Sequence, residues 1–267
     1  MKSKNLHLNL VYQTLRRFIY LFAFSSLAGA GILSAERNLK ELVDESNKLL
    51  RGQSSHSRVT MTITTERWKR TLELEGWNQG REKALMRIHV PAKERGNGTL
   101  KVEKEIWNWL PSVERVIKIP PSMLHSSWMG SDFTYEDIVK ADSIVKDYTH
   151  SLLEKKPEGR GVRYVIIAAP KPEAPVVWGK VILQVLEEDG TATPLREEDY
   201  SERGEHIRTI QFSDVRMMGG RKIPTRLECI PHKKLGNKTV LTYQQFDVDV
   251  KFEKNFFSLS NLQKPLQ

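Results

Sequence analysis

The 267-residue chain carries 42 lysines and arginines against 33 aspartates and glutamates, with one cysteine. Its 39% hydrophobic content and 16 glycines are ordinary for a globular protein, which excludes a disordered chain, a collagen and a multi-span membrane protein. The lone Cys229 excludes an intrachain disulfide, and zinc sites built from four cysteines or from two cysteines and two histidines.

The formal charge of +9 suggests nucleic acid only until it is located along the chain. Residues 1–35 hold Lys2, Lys4, Arg16 and Arg17 and no acid, leaving 38 basic against 33 acidic residues, interspersed, in the remainder. Behind Arg17 comes an apolar run, Phe18 to Leu33, of 16 residues. Spanning the hydrocarbon takes about 20 apolar residues, so this run is short for a permanent helix. A basic flank, a short apolar stretch and small residues at Ala28-Gly29-Ala30 and Ser34-Ala35 make residues 1–35 an expected signal peptide, with an uncleaved inner-membrane anchor as the alternative. Export places the protein in the periplasm, and residues 36–267 form the expected folded domain. No cysteine lies near the cleavage region, so the protein is not itself a lipoprotein.

Arg37 to Leu50 predicts a helix, with Leu39, Leu42, Val43, Leu49 and Leu50 at helical spacing and Gly52 as the stop. From residue 56 the period changes to two. Val59, Met61 and Ile63 alternate with threonines; Leu72 and Leu74 alternate with Thr71, Glu73 and Glu75; Ala84, Met86, Ile88 and Val90 continue the pattern. Strands follow at Leu100–Leu110 and Val113–Ile119. One apolar and one polar face is the signature of an antiparallel meander covered on one side.

Pro120-Pro121 breaks the pattern. The next stretch, through Met123, Leu124, Trp128 and Met129, is apolar without periodicity, and a short helix is expected after Gly130, through Phe133, Tyr135 and Ile138. Asp132, Glu136 and Asp137 fall in or near its first turn, where carboxylates satisfy free N–H groups. Strands resume at Ser143–Glu154, Arg163–Ala169, Val176–Glu187, Pro194–Tyr200, His206–Met217, Arg221–Pro231 and Asn237–Val250. The expected fold is mainly β (α+β): one curled antiparallel sheet of about eleven strands, since a sheet of that size curls rather than lying flat. It forms an incomplete β-barrel, with the N-terminal helix and the short helix after Gly130 plugging its concave side.

The chain carries few residues in patterns that point to chemistry. Asp132, Glu136 and Asp137 could be imagined as paired carboxylates, but capping explains them and no histidine lies at ligand spacing. Cys229 and His232 lack a second pair to complete a metal site. The nucleophile and phosphate-loop motifs are missing, so no enzyme, no catalytic residue, no metal and no cofactor is expected. Six tryptophans near basic residues could bind single strands, but export argues against nucleic acid; the same chemistry suits anionic lipid headgroups.

The segment Ile106–Ile119 (IWNWLPSVERVIKI) resembles a strand–turn–strand block of the outer-membrane lipoprotein-sorting protein family. Ser127–Ile138 (SWMGSDFTYEDI) resembles that family's most distinctive segment, and Trp178-Gly-Lys-Val, Phe212-Ser-Asp-Val, Gly219–Pro224 and Lys238-Thr-Val-Leu fit in the same order. The family is similar in fold to the periplasmic carriers LolA and LolB. The resemblance implies an open half-barrel over residues 36–267, lidded by helices, whose concave face accepts acyl chains.

Burying the roughly 15 methylenes of a 16-carbon chain is worth on the order of 12 kcal/mol, so a lipid needs an apolar carrier to cross water. The candidate lid and cavity residues are Met61, Ile63, Leu72, Leu74, Met86, Ile88, Met123, Leu124, Trp128, Met129, Phe133 and Tyr135. The expected function is a monomeric carrier of lipid or lipoprotein, receiving cargo from an inner-membrane transporter and passing it to an outer-membrane acceptor. The alternative is a non-carrying sensor of envelope lipids that binds a regulator on the same scaffold.

Overall fold

The computed structural model describes residues 37–139 and 142–266. The expected signal peptide lies outside the described residues. Among the described residues no helix is long and apolar enough to cross a membrane.

Helix α1 spans Leu39–Leu49. Asn38 caps it, its Oδ1 accepting from the backbone N–H groups of Lys40 and Glu41 at 3.0 and 3.2 Å. Leu42 and Val43 are buried. At the other end Gly52 takes φ +62° and closes the turn by donating to the Lys48 carbonyl.

Thirteen strands follow in a single antiparallel sheet. The first group comprises β1 (Ser54–Thr64), β2 (Lys69–Gln79), β3 (Lys83–Val90), β4 (Gly98–Val102), β5 (Glu105–Leu110) and β6 (Arg115–Lys118). The second comprises β7 (Tyr148–Glu158), β8 (Gly161–Pro170), β9 (Lys180–Glu188), β10 (Thr191–Tyr200), β11 (His206–Met218), β12 (Arg221–Pro231) and β13 (Lys238–Val248). The count exceeds the expected eleven or so chiefly because Leu100–Leu110 is two strands. Glu103, at φ +56°, turns the chain between them without the glycine that would have marked the turn.

The spatial order is β6-β5-β4-β3-β2-β1-β13-β12-β11-β10-β9-β8-β7. Two meanders are thus joined through their first and last strands, β1 against β13. The sheet is curled but unclosed, with β6 and β7 as its edges. Register shifts at Arg58/Val59, Glu73/Leu74 and Pro194/Arg196 bend it.

The topology dictates the path of the segment expected as a lid. Residues 119–147 must lead from one edge strand to the other, and they carry α2 (Tyr135–Val139) and α3 (Ser143–Lys146). Residues 143–146, expected as the start of a strand, are helical instead. Their adjacent apolar pair Ile144-Val145 packs on the cluster of Tyr148, Tyr164 and Val181, which an alternating strand could not arrange with both residues on one face.

The other side of the sheet is covered too, where β2 to β5 meet the C-terminal segment. Leu85 and Leu100 bury against Leu262 of α4 (Leu259–Leu262), with Trp77, Trp107, Phe256 and Phe257 around them. Arg87 pins that segment by donating to the carbonyls of Asn261 and Lys264.

Candidate functional site: the concave cavity

A cavity of about 360 Å³ lies on the concave face. Period-two residues of both meanders build its wall: Ser57 and Val59 of β1, Leu74, Gly76 and Asn78 of β2, Val181, Leu183 and Val185 of β9, Ile210 and Phe212 of β11, and Leu241 and Tyr243 of β13. Register carries the wall across strands, since Val59 pairs with Leu74 on one side and Tyr243 on the other. Gly76 sits between Ser57 and Met86, and a Cβ there would come within 3.3 Å of the Ser57 hydroxyl, so glycine keeps the wall hollow at this point.

Helix α1 supplies another wall. Val43, Ser46, Asn47, Leu50 and Arg51 all face the cavity, at spacings of three, one, three and one residues along the helix and its exit. The face runs from an apolar end to a polar one. Trp128, Phe133, Ile138 and Ile144 from the lid segment, with Val176 and Trp178 from the β8–β9 connection, complete the lining.

The twelve residues singled out from sequence divide by position. Leu74, Met86, Trp128 and Phe133 line the cavity. Met61, Ile63, Leu72, Ile88 and Tyr135 are buried in the packed core beside it. Leu124 and Met129 are partly buried against that core, whereas Met123 is 46% exposed. Trp128 is an anchor for the lid segment, buried and donating from Nε1 to Thr99 Oγ1 at 3.2 Å. Arg70 fastens the next residue through the Met129 carbonyl, and Asn108 donates to the Tyr135 hydroxyl at 2.5 Å.

The carboxylates after Gly130 act as fasteners. Thr134 and Asp137 form a reciprocal cap at the start of α2: the Thr134 N–H donates to Asp137 Oδ2 at 2.7 Å, and the Asp137 N–H donates to Thr134 Oγ1 at 3.3 Å. Asp132, expected as a cap, turns instead to the sheet and accepts from the Thr239 hydroxyl at 2.7 Å.

Asp137 also accepts two hydrogen bonds from Arg208 of β11, whose Nε donates to Asp199 of β10 at 2.6 Å. Burial works to raise the Asp137 pKa, but the Arg208 charge and these hydrogen bonds outweigh it and hold the carboxyl below its usual range. Burial likewise works against the Arg208 cation, and its two carboxylates hold it charged. Asp199 is raised, chiefly by burial, and Glu197 is raised by burial and by the Asp199 charge beside it. Asp199 Oδ1 is buried without a hydrogen-bond partner among the described residues, beside the raised Glu197 carboxyl.

Glu197, Asp199 and Arg208 were missed by sequence reasoning. Arg208 was accessible to it, being in phase with Ile210 and Phe212. Glu197 and Asp199 were not. The bulge at Pro194/Arg196 leaves Leu195 unpaired and reverses the alternation, so inward residues are even-numbered before it (Ala192, Pro194) and odd-numbered after it (Glu197, Asp199). Arg51 and Tyr243 were likewise missed, because they line one cavity only when β13 pairs beside β1. Among the described residues no group of three or more histidines, cysteines, aspartates or glutamates could hold a metal ion.

The fold has solved counterparts. A DUF1329 family protein from Desulfovibrio piger superposes with a TM-score of 0.74 at 22% identity, covering 84% of this chain and 97% of that one. A LolA superfamily protein from Nitrosomonas europaea gives 0.69 at 21% identity, covering 83% and 98%. An outer membrane lipoprotein-sorting protein domain from Vibrio parahaemolyticus gives 0.69 at 20% identity, covering 84% and 98%. A comparison with curated proteins finds no match. A family model described as an uncharacterized protein matches residues 80–264. The chain therefore belongs to that family, and its fold is the one shared by LolA superfamily proteins and outer-membrane lipoprotein-sorting domains.

Proposed function

We propose that the protein is a periplasmic carrier that binds acyl chains of a lipid or lipoprotein in its concave cavity and passes them toward the outer membrane. The observation that carries this reading is the unfilled apolar cavity beneath the lid segment. A protein interior is ordinarily packed to near-crystalline density, and an opening of about 360 Å³ lies well outside that norm. It falls instead within the range of about 300–1,000 Å³ typical of small-molecule sites. The lining is largely aliphatic and aromatic, which suits an acyl chain and offers no nucleophile paired with a base. The reading is therefore of a binding protein rather than an enzyme.

On this reading residues 1–35 direct export, and the mature chain works as a monomer between an inner-membrane transporter and an outer-membrane acceptor. The lid segment is the part that must yield when cargo enters. Its Trp128, Phe133 and Ile138 would exchange contacts with the sheet for contacts with the chain.

Mass spectrometry of organic extracts from the protein purified out of the periplasmic fraction tests this. Acylated molecules near one per protein are expected. A fully exported protein that yields none, and that takes up none from detergent-solubilised envelope lipids, would rule the carrier out.

A further inference from the structure

We infer that the cavity takes a single-chain amphiphile with a terminal oxyanion, a carboxylate or a phosphate, whose head docks on the Arg51 guanidinium and the Tyr243 hydroxyl. This deepens the carrier reading and rests on it.

Arg51 follows the last turn of α1 and lines the cavity. Its guanidinium makes no hydrogen bond or ion pair among the described residues. A guanidinium brings five donors and does not give up its charge in a protein, so one turned into a mostly apolar space without a partner is costly unless something there accepts from it. Burial is the largest influence on this cation and pushes its pKa down.

The acids nearest to it are already engaged. Asp142 pairs with Lys146 at 2.5 Å and stands 3.9 Å from Arg81. Glu197 has its pKa raised to about 8 by burial and by the Asp199 charge, which disfavours the carboxylate that could pair with Arg51. Tyr243, on the neighbouring wall, is close enough that the Arg51 charge draws its pKa down against the burial that raises it. Its hydroxyl also has no hydrogen-bond partner among the described residues.

Two donors without acceptors thus face one apolar cavity. The chemistry they lack is an anionic oxygen group, and the chemistry the rest of the wall lacks is a hydrocarbon chain. The volume lies at the small end of the ligand-site range, which favours one chain over several.

The test is titration of the mature protein with palmitate, 1-palmitoyl-lysophosphatidate and hexadecanol, followed by calorimetry and by tryptophan fluorescence. At least one oxyanion probe is expected to bind about tenfold tighter than hexadecanol, as a charge-assisted hydrogen-bonded pair implies. The tighter of the two identifies the head as carboxylate or phosphate. Arg51→Gln combined with Tyr243→Phe should erase that preference while keeping hexadecanol affinity. Should this pair of changes disturb the fold, Arg51→Met alone fills the same space and should erase the preference while hexadecanol binds at least as well. Equal binding of all three probes by the wild type, or a preference surviving in the variants, overturns the oxyanion site and leaves the carrier standing. Binding of none of them overturns the carrier reading, and this assignment with it.

Discussion

Arg208 of β11 clasps Asp137 of α2 through two parallel hydrogen bonds, each 2.7 Å long, and so fixes the lid segment to the wall of the half-barrel. The geometry is a planar fork meeting a carboxylate, the strongest common side-chain pairing. The Arg208 side chain is 5% exposed; its Nε donates to Asp199 and its Nη1 also reaches the Asp132 carbonyl at 3.4 Å. The segment is therefore held by a charged pair that is buried on the Arg208 side and 20% exposed on the Asp137 side.

Asp137→Ala follows directly from that arrangement. It leaves the buried Arg208 with Asp199 as its one carboxylate partner, beside the Asp132 carbonyl, and removes the cap of α2. Loss of one partner of a buried pair costs on the order of 3 kcal/mol. Chemical denaturation should show this loss, with hydrogen exchange rising first in residues 124–139. A variant as stable as the wild type would mean that the clasp does not hold the lid.

Trp128→Ala probes the other fastening. The ring is buried against Met61, Ile88 and their neighbours, and its indole N–H reaches Thr99. Truncating such a side chain costs about 3–5 kcal/mol. The thermal midpoint should fall accordingly, and the fall should shrink if an acyl ligand fills the space left behind.

Leu241→Trp closes the cavity from its wall. Leu241 is partly buried and lines the opening, so a larger ring grows into empty space and stability should change by about 1 kcal/mol or less. Acyl-chain affinity should fall at least tenfold in a direct titration, a loss of about 1.4 kcal/mol in binding. Unchanged affinity would place the ligand elsewhere.

Lys101 yields a prediction in pH. It is buried, and its Nζ donates to the Arg81 carbonyl. Burial, with the nearby Arg51 charge, lowers its pKa from 10.5 to about 8. Between those values the unfolded chain binds more protons than the folded one, so stability contributed at this site rises with pH from about 8 to 10.5 and is lost again as pH falls through 8. Lys101→Met should remove that rise, on the order of 2–3 kcal/mol across the window. The check is the difference between wild-type and variant stability measured at pH 7, 8.5 and 10.

The sequence by itself determined the local regularities. Residues such as Val59, Met61 and Ile63 must share one face of a strand, because side chains alternate whatever the strand pairs with. Asn38 and Gly52 bound α1 through backbone groups within a few residues of each other. Only tertiary structure decided how the strands are ordered, since β1 and β13 are joined by hydrogen bonds between chain segments some 180 residues apart, which no local pattern encodes. It also decided the inward turn of Glu197 and Asp199, because one unpaired residue at Leu195 reverses every side chain after it. The cavity belongs to the same category. A periodic apolar face looks alike whether it packs solid or stays open, and the difference is set by how far the curled sheet and the lid segment approach each other.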